Sequence, residues 1–167
     1  MIILGIDPGT TESGWVLYDS DSHSIVNKGI SENDSLLVHT MYDDDIDVMA
    51  IEMVASYGMP VGKEVFETVY WIGRFCQASH RSGRPFHRYY KKTDINQAIC
   101  FNSKVNDSII RRAVLDMFPK TGGGKEPAVG TKKKPGPLYG FSSHMYPALA
   151  VALTHALREG LISYVTY

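Results

Sequence analysis

The sequence has little cysteine and no long apolar run, and these two absences narrow the class of protein. Its two cysteines, Cys76 and Cys100, have no ligand-type spacing, which argues against a disulfide framework or a zinc site. No stretch approaches the roughly 18 apolar residues of a membrane span. The first residues also lack a basic segment followed by an apolar one. We therefore expect a cytoplasmic protein with no membrane partner.

Positive charge is almost absent from the first third of the chain. Residues 1–52 contain eleven Asp or Glu residues and one basic residue, Lys28, whereas residues 81–134 contain thirteen Lys or Arg residues and four acids. The net charge of −1 therefore hides a strong asymmetry. Such asymmetry predicts a basic face for phosphates beside an acidic site that could hold cations, although two solvated faces of opposite sign would give the same totals.

The length and the hydrophobic share of 44% predict one compact domain over residues 1–167. Apolar and alternating patterns predict three strands within residues 2–30, a fourth in "DVMAIEMV" and a fifth in "PFHRYYK". A short helix capped by Ser31, Asn33 or Asp34 should follow the third strand. A long helix is expected over about 61–80. This order of elements is typical of an α/β domain with a mixed sheet.

The second half of the chain reads as helices separated by one irregular segment. Two shorter helices are predicted near 93–118, each with a Thr, Asn or Asp suited to N-capping. An apolar helix should begin at about Ser143 and end at Gly160. Residues 119–137 are rich in Gly, Pro and Lys and predict a flexible basic loop.

Two acids fall within the apolar strands. Asp7 ends the first strand, and Glu52 is the one charge inside the fourth apolar run. A carboxylate in a buried strand is costly unless it is neutralised or paired. The pair therefore suggests a shared cation. The alternative is an Asp7 that caps a turn and a Glu52 that is bonded to a nearby arginine.

Three blocks, in order along the chain, resemble RuvC-like Holliday junction resolvases. "GIDPGTTESGWVLYD" is similar to their first strand and turn, and "AIEMVASYGMPVGKEVFETVYWIGRF" to their glutamate strand and long helix. "ALAVALTHAL" is similar to their C-terminal catalytic helix. "KKKPGPLYGFSSHMYPALAVA" and the segment 53–59 look closest to the phage-encoded branch. Each block alone is weak, whereas the three together are specific.

The resemblance implies a ribonuclease H-like fold, with a mixed five-stranded sheet flanked by helices on both faces. It implies a Mg²⁺-dependent crossover junction endodeoxyribonuclease, in a prokaryotic cell or phage-infected host, that resolves four-way or branched DNA junctions. Two magnesium ions, for which Mn²⁺ should substitute, suit phosphodiester hydrolysis and prefer hard oxygen ligands. By this resemblance Asp7 and Glu52 would be catalytic, with Asp7 bridging both ions and Glu52 binding one.

The last helix departs from the family pattern. Where the family has an acid or histidine followed three positions later by aspartate, this chain has His144 and then Pro147. His144 can serve as a metal ligand or proton carrier, whereas proline binds no metal. Asp107 is the first candidate for the lost ligand, and Glu64 or Glu67 are weaker ones. A site with fewer ligands and more water, or an impaired enzyme, would also explain the change.

Charge, aromatic residues and the resemblance together suggest contacts to the substrate. Lys104 lies where these resolvases keep a basic residue near the active site, so it would be catalytic by stabilising the transition-state phosphate. Tyr57, just after the Glu52 strand, could stack on an unpaired base, although the position that matches the family's aromatic is Ala55 in this chain. The long helix over about 61–80 would form a two-fold homodimer that presents two active sites to one junction. Further basic residues would contact DNA phosphates: Arg88, Lys91, Lys92, Arg111, Arg112, Lys132, Lys133 and Lys134.

Two other functions remain open. "GIDPGTT" also resembles the first phosphate loop of actin-like ATPases, but 167 residues are short for such a protein and a second loop of the Asp-x-Gly-Gly type is absent. A junction-binding protein without catalysis would account for Pro147. The other histidines have no motif: His155 is expected to be a packed or surface residue, and His87 has no ligand partner that the sequence identifies.

Overall fold

The computed structural model describes residues 1–58 and 60–167; Met59, the last residue of the 53–59 segment, lies outside the described residues. A five-stranded sheet has the order β3-β2-β1-β4-β5. β1 (Ile2–Asp7), β2 (Glu12–Asp19) and β3 (Ser24–Glu32) form an antiparallel meander. β4 (Val48–Met53) pairs parallel with β1, and β5 (Phe86–Tyr90) pairs parallel with β4. The expected mixed sheet is therefore confirmed.

Helices cover both faces of this sheet. α1 (Asn33–Tyr42) and α2 (Lys63–Arg81) pack on one face, where their apolar side chains join those of Leu4 and Ile51. α3 (Asn96–Cys100), α4 (Asp107–Asp116) and α5 (Met145–Arg158) cover the other face. A π-helical turn, Lys91–Ile95, leads from β5 directly into α3. No helix among the described residues is long and apolar enough to cross a membrane.

α5 lies unusually close to the sheet. Its sequence is rich in alanine and leucine, and ten of its side chains are buried. Two glycines permit the close approach, because a Cβ on Gly5 would overlap the carbonyl oxygen of Ala148 and a Cβ on Gly14 would overlap that of His144. The N-terminal end of α5 is thereby held against the ends of β1 and β2.

The residues expected to cap α1 form tertiary contacts instead. Glu32 occupies the N-cap position, and no side chain there accepts a capping hydrogen bond. Ser31 accepts a hydrogen bond from the Trp15 indole at 2.9 Å, and Asp34 forms an ion pair with Arg74 at 3.1 Å. The expected side-chain cap is wrong, because these polar groups bind partners that are distant in sequence.

The segment 119–137, expected to be a flexible loop, has a path defined by its own backbone hydrogen bonds. The Gly123 N–H donates to the carbonyl of Lys134 at 2.9 Å, and the Gly136 N–H donates to that of Val129 at 2.9 Å. Ala128 is buried in the cluster beneath α4 and α5. The Ala128 side chain thus joins the segment to the core, while lysines 132–134 of the segment are exposed.

Candidate active site

Three parallel strands deliver chemically active side chains to one edge of the sheet. Ile6 of β1 is paired with Ile51 of β4, so the next residues, Asp7 and Glu52, occupy adjacent positions on the same face. Lys91 directly follows β5, the next strand of the sheet. Neighbouring strands are about 4.8 Å apart. The carboxyl ends of these strands therefore bring two acids and a lysine together.

The N-terminal ends of α4 and α5 supply the remaining side chains of the site. Asp107 is the first residue of α4, and His144 occupies the N-cap position of α5. Together with Asp7, Glu52 and Lys91 they line a cavity of about 360 Å³. Each residue comes from a different element, so the arrangement exists only in the folded chain.

Neither strand carboxylate has a partner in this cavity. Among the described residues, the carboxylates of Asp7 and Glu52 accept no hydrogen bond from backbone or side chain and form no ion pair; the turn N–H of Gly9 donates to Ser13 instead. Neither the expected turn cap nor an arginine partner is present. Burial raises the pKa of Asp7 to about 6, with Lys91 and His144 opposing the rise. Burial, reinforced by the charge of Asp7, raises the pKa of Glu52 to about 7. Two acids that titrate near neutrality in one cavity are typical of a functional site.

Lys91 brings positive charge to the two carboxylates. Its Nζ lies 2.6 Å from Oδ1 of Asp107. Burial disfavours the charged ammonium, but the hydrogen bond to Asp107 and the charges of Glu52 and Asp7 raise the pKa of Lys91. The lysine is therefore charged at neutral pH.

The N-terminus of α4 holds Asp107 at the rim. Asn106 caps the helix, since its Oδ1 accepts from the Ile109 N–H at 3.1 Å and from the Ser108 hydroxyl at 2.6 Å. This cap fulfils the sequence expectation for α4, and it fixes the backbone immediately before Asp107.

A closed set of hydrogen bonds fixes the turn that follows Asp7. The Gly9 N–H donates to Oγ of Ser13 at 3.2 Å, and that hydroxyl donates to Oδ1 of Asn33 at 2.6 Å. Nδ2 of Asn33 donates back to the carbonyl of Gly9 at 3.1 Å. Asn33 is 1% exposed. This buried amide therefore ties the first turn of α1 to the backbone beside Asp7.

Other candidates for the active site lie away from the cavity. Lys104 is exposed in the segment between α3 and α4 and does not line the cavity, whereas Lys91, expected only to contact DNA, does. Glu64 and Glu67 are on α2, on the opposite face of the sheet. Among the acids offered to replace the one lost at Pro147, Asp107 is the one that reaches the cavity.

Besides Lys91, two of the expected DNA contacts are engaged with acids. Arg111 lines the cavity and binds Glu126 with both terminal nitrogens, at 3.2 and 2.8 Å, while its guanidinium lies over the Tyr146 ring at 4.9 Å. Arg112 forms an ion pair with Asp116 at 3.3 Å.

The remaining basic candidates form an exposed set. The Nζ of Lys92 lies 4.1 Å from the centre of the Tyr57 ring. The backbone N–H of Lys92 donates to the Tyr57 hydroxyl at 3.2 Å. Tyr57 adopts the left-handed backbone conformation, with a φ of 47°. Arg88 and the lysines 132–134 are exposed. The structure thus joins Tyr57 to Lys92 as one surface feature.

Comparisons with known proteins identify the fold. No protein-family model and no curated protein sequence matches the chain. A structure of Thermus thermophilus RuvC is similar over 99% of both chains, with a TM-score of 0.69 at 18% identity. T. thermophilus RuvC in complex with a Holliday junction substrate is similar over 100% of this chain and 99% of that one, with a TM-score of 0.64 at 17% identity.

The comparisons and the sheet order give the same result. The chain has the RuvC-like form of the ribonuclease H-like fold, as the sequence resemblance implied. In this fold the present chain places Asp7 and Glu52 in a cavity at the carboxyl ends of adjacent parallel strands.

Proposed function

We propose that the protein is a metal-dependent endonuclease that cuts four-way or branched DNA junctions by phosphodiester hydrolysis. The observation that carries this proposal is the pair of unpartnered carboxylates, Asp7 and Glu52, in one cavity with Lys91 and His144. The likeness to a RuvC structure that holds a Holliday junction substrate supports the same class of substrate.

The donors in the cavity fit magnesium. Half-buried carboxylates without hydrogen-bond partners are costly unless a cation neutralises them, and Mg²⁺ prefers such oxygens. Asp7, Glu52, Asp107 and His144 would hold the metal, and we propose two ions, with Mn²⁺ as a substitute. When bound, such ions supply an activated water and stabilise the charge on the leaving oxygen.

The chain's own cationic groups act on the substrate phosphate. Lys91 is charged and faces the cavity, so it would offset the extra negative charge that develops on the phosphate during cleavage. His144, at the rim, would bind metal or accept a proton. Lys104 lies outside the lining and would reach the phosphate only from the adjoining segment.

The path of the DNA would follow the exposed basic residues. Tyr57, supported by Lys92, would stack on an unpaired base beside the cavity. Arg88 and the lysines 132–134 would bind phosphates, and Arg111 and Arg112 would do so after exchanging their acidic partners for DNA.

A homodimer would pair two such cavities on one junction. The exposed side of α2 presents Phe66, Val69 and Tyr70 to solvent, with Phe66 64% exposed. Apolar exposure of this kind on one helix favours an interface. The motif likeness favours a phage-encoded protein, and the cytoplasm is the compartment in which we expect it to act.

Cleavage of a synthetic four-way junction tests the proposal. The wild-type protein should introduce paired nicks in Mg²⁺ or Mn²⁺ and none in EDTA. Asp7→Asn should reduce cleavage at least 1,000-fold while junction binding in EDTA persists, and Asp44→Asn, at an exposed acid outside the cavity, should cut normally. Normal cleavage by Asp7→Asn would overturn the proposal.

The same assay separates the competing functions. Tight binding to the junction in EDTA, with no nicks after Mg²⁺ or Mn²⁺ is added, would identify a junction-binding protein without catalysis. Turnover of ATP without DNA cleavage would identify an actin-like ATPase fragment.

A further inference from the structure

Two histidines and a glutamate converge near the end of α5 remote from His144. His87 projects from β5, while His155 lies in the last turn of α5 and Glu159 directly follows that helix. Ligand atoms from these three residues lie within 4.8 Å of one another. About 16 Å of helix rise separates His155 from His144, so the cluster is distinct from the cavity.

β5 and the end of α5 direct these three side chains towards one another. His87 is paired with Ala50, whose side faces α5, and its ring centre lies 4.6 Å from that of His155. His155 and Glu159 are four residues apart, a spacing that places two side chains on the same side of a helix. The convergence therefore results from the packing of α5 on β5.

The orientation of His155 is fixed by a buried neighbour. Its Nδ1 is 2.8 Å from the hydroxyl of Tyr89, and its ring is 3% exposed. Histidines that bind metals usually have their second nitrogen held by such a hydrogen bond. This contact leaves Nε2 of His155 as the nitrogen available to a metal.

The charge state of the cluster also suits a cation. Arg158 forms an ion pair with Asp94 at 2.7 Å, and among the described residues Glu159 is in no ion pair. The carboxylate of Glu159 is therefore available to a metal.

We propose that His87, His155 and Glu159 bind a transition-metal cation of the zinc class, with water completing its coordination. Two imidazoles and one carboxylate are a donor set that zinc uses with one open position, whereas magnesium prefers oxygen alone. The spacing of Cys76 and Cys100 argued against zinc, but this site needs no cysteine.

A metal at this point would join β5 to the end of α5. β5 leads into Lys91 and α5 begins beside His144, so the two elements that the metal would join also position the candidate active site. The site would stabilise this arrangement without contacting the substrate.

Titration of the metal-free protein with Co²⁺ and Zn²⁺, in excess Mg²⁺, tests the site. Co²⁺ should give the visible absorption of a four- or five-coordinate ion at one equivalent, and Zn²⁺ should displace it. His87→Ala and Glu159→Gln should each weaken binding at least tenfold. Zinc should raise the melting temperature of the wild type but not of these variants.

Two controls locate the binding. His80→Ala removes an exposed histidine on α2, and His144→Ala removes the imidazole of the cavity; both should retain the Co²⁺ spectrum. Binding that survives His87→Ala and Glu159→Gln, or a wild type that binds no Co²⁺, would overturn the proposal and would show the cluster to be an aromatic contact only. Junction cleavage is a separate measurement, so neither result decides the proposed function.

Discussion

The ammonium of Lys91 lies 2.6 Å from the carboxylate of Asp107, at the mouth of the cavity that holds Asp7 and Glu52. This ion pair joins the residue after β5 to the first residue of α4. Asp107 can therefore act in two ways, as a metal ligand beside Asp7 and Glu52 or as the partner that orients Lys91.

The magnesium requirement of Asp107→Asn separates these two roles. As a ligand, Asp107 contributes to affinity, so its loss should raise the Mg²⁺ concentration for half-maximal cleavage by roughly 10–100-fold. Asp116→Asn, at the other end of α4, should leave this concentration unchanged. A slower Asp107→Asn enzyme with an unaltered Mg²⁺ requirement would show that Asp107 orients Lys91 and does not bind the metal.

The two carboxylates should destabilise the metal-free fold at high pH. Burial raises the pKa of Asp7 from 3.8 to about 6 and that of Glu52 from 4.5 to about 7, so the folded state binds these protons more tightly than the unfolded state. The stability that these two groups contribute should thus be fully present below about pH 4 and decrease as the pH rises towards 7.

Removing these charges should stabilise the protein while abolishing cleavage. At pH 8 in EDTA, Asp7→Asn and Glu52→Gln should each raise the free energy of unfolding by about 1–2 kcal/mol, less than the full shift because both side chains retain solvent contact. Urea unfolding should show this gain at pH 8 and little of it at pH 4. An equal gain at both pH values would contradict the assigned cause.

Asn33 should matter for both stability and activity although it lies outside the cavity. Asn33→Ala leaves the Ser13 hydroxyl and the Gly9 carbonyl without their partner, which should cost about 1–3 kcal/mol. Because the turn next to Asp7 loosens, cleavage should also decrease at saturating Mg²⁺. Asn27→Ala, at an exposed position of β3, is the matched control and should change neither quantity. Full activity in Asn33→Ala would exclude a positioning role.

A methyl group at Gly14 should displace α5. It would overlap the His144 carbonyl, so Gly14→Ala should lower both the melting temperature and the cleavage rate. Gly73→Ala on α2 has open space around the added carbon and should instead stabilise that helix by about 1 kcal/mol. Thermal unfolding of the pair and junction cleavage by Gly14→Ala measure these effects, and wild-type cleavage by Gly14→Ala would argue against a tightly seated helix.

The exposed side of α2 should be the dimer interface. Phe66→Glu places a charge where an interface would bury an aromatic ring, so the variant should be monomeric in sedimentation and should lose paired nicking. Phe101→Glu changes a side chain of similar exposure outside α2 and should remain dimeric. A monomeric wild type, or a dimeric Phe66→Glu, would contradict this interface.

The fold could be predicted from the sequence because the local apolar patterns match the buried strands and helices of the structure. Alternating and continuous apolar runs predict all five strands. Two acids in apolar strands, costly to bury unless they share a cation, predict that Asp7 and Glu52 approach each other. The expected start of α5 near Ser143 differs from the observed start by two residues, with Pro147 tolerated in its first turn.

Other features depend on tertiary packing that local patterns do not encode. The π-helical turn after β5 directs Lys91 towards the cavity, and no sequence signal distinguishes that turn from an α-helix start. From the sequence, Asn33 is a candidate helix cap. In the fold, its side chain instead binds Ser13 of β2. His87 and His155 meet only because α5 packs on β5, and no local pattern pairs two residues so far apart in sequence.

Gly5 and Gly14 also affect which substitutions in the core the fold can tolerate. Where two backbones touch directly, the spacing between α5 and the sheet does not depend on which apolar side chains fill the rest of the core. Substitutions in that core can therefore accumulate and change stability without moving His144 relative to Asp7. The chain shares its overall architecture with a T. thermophilus RuvC structure at 18% identity.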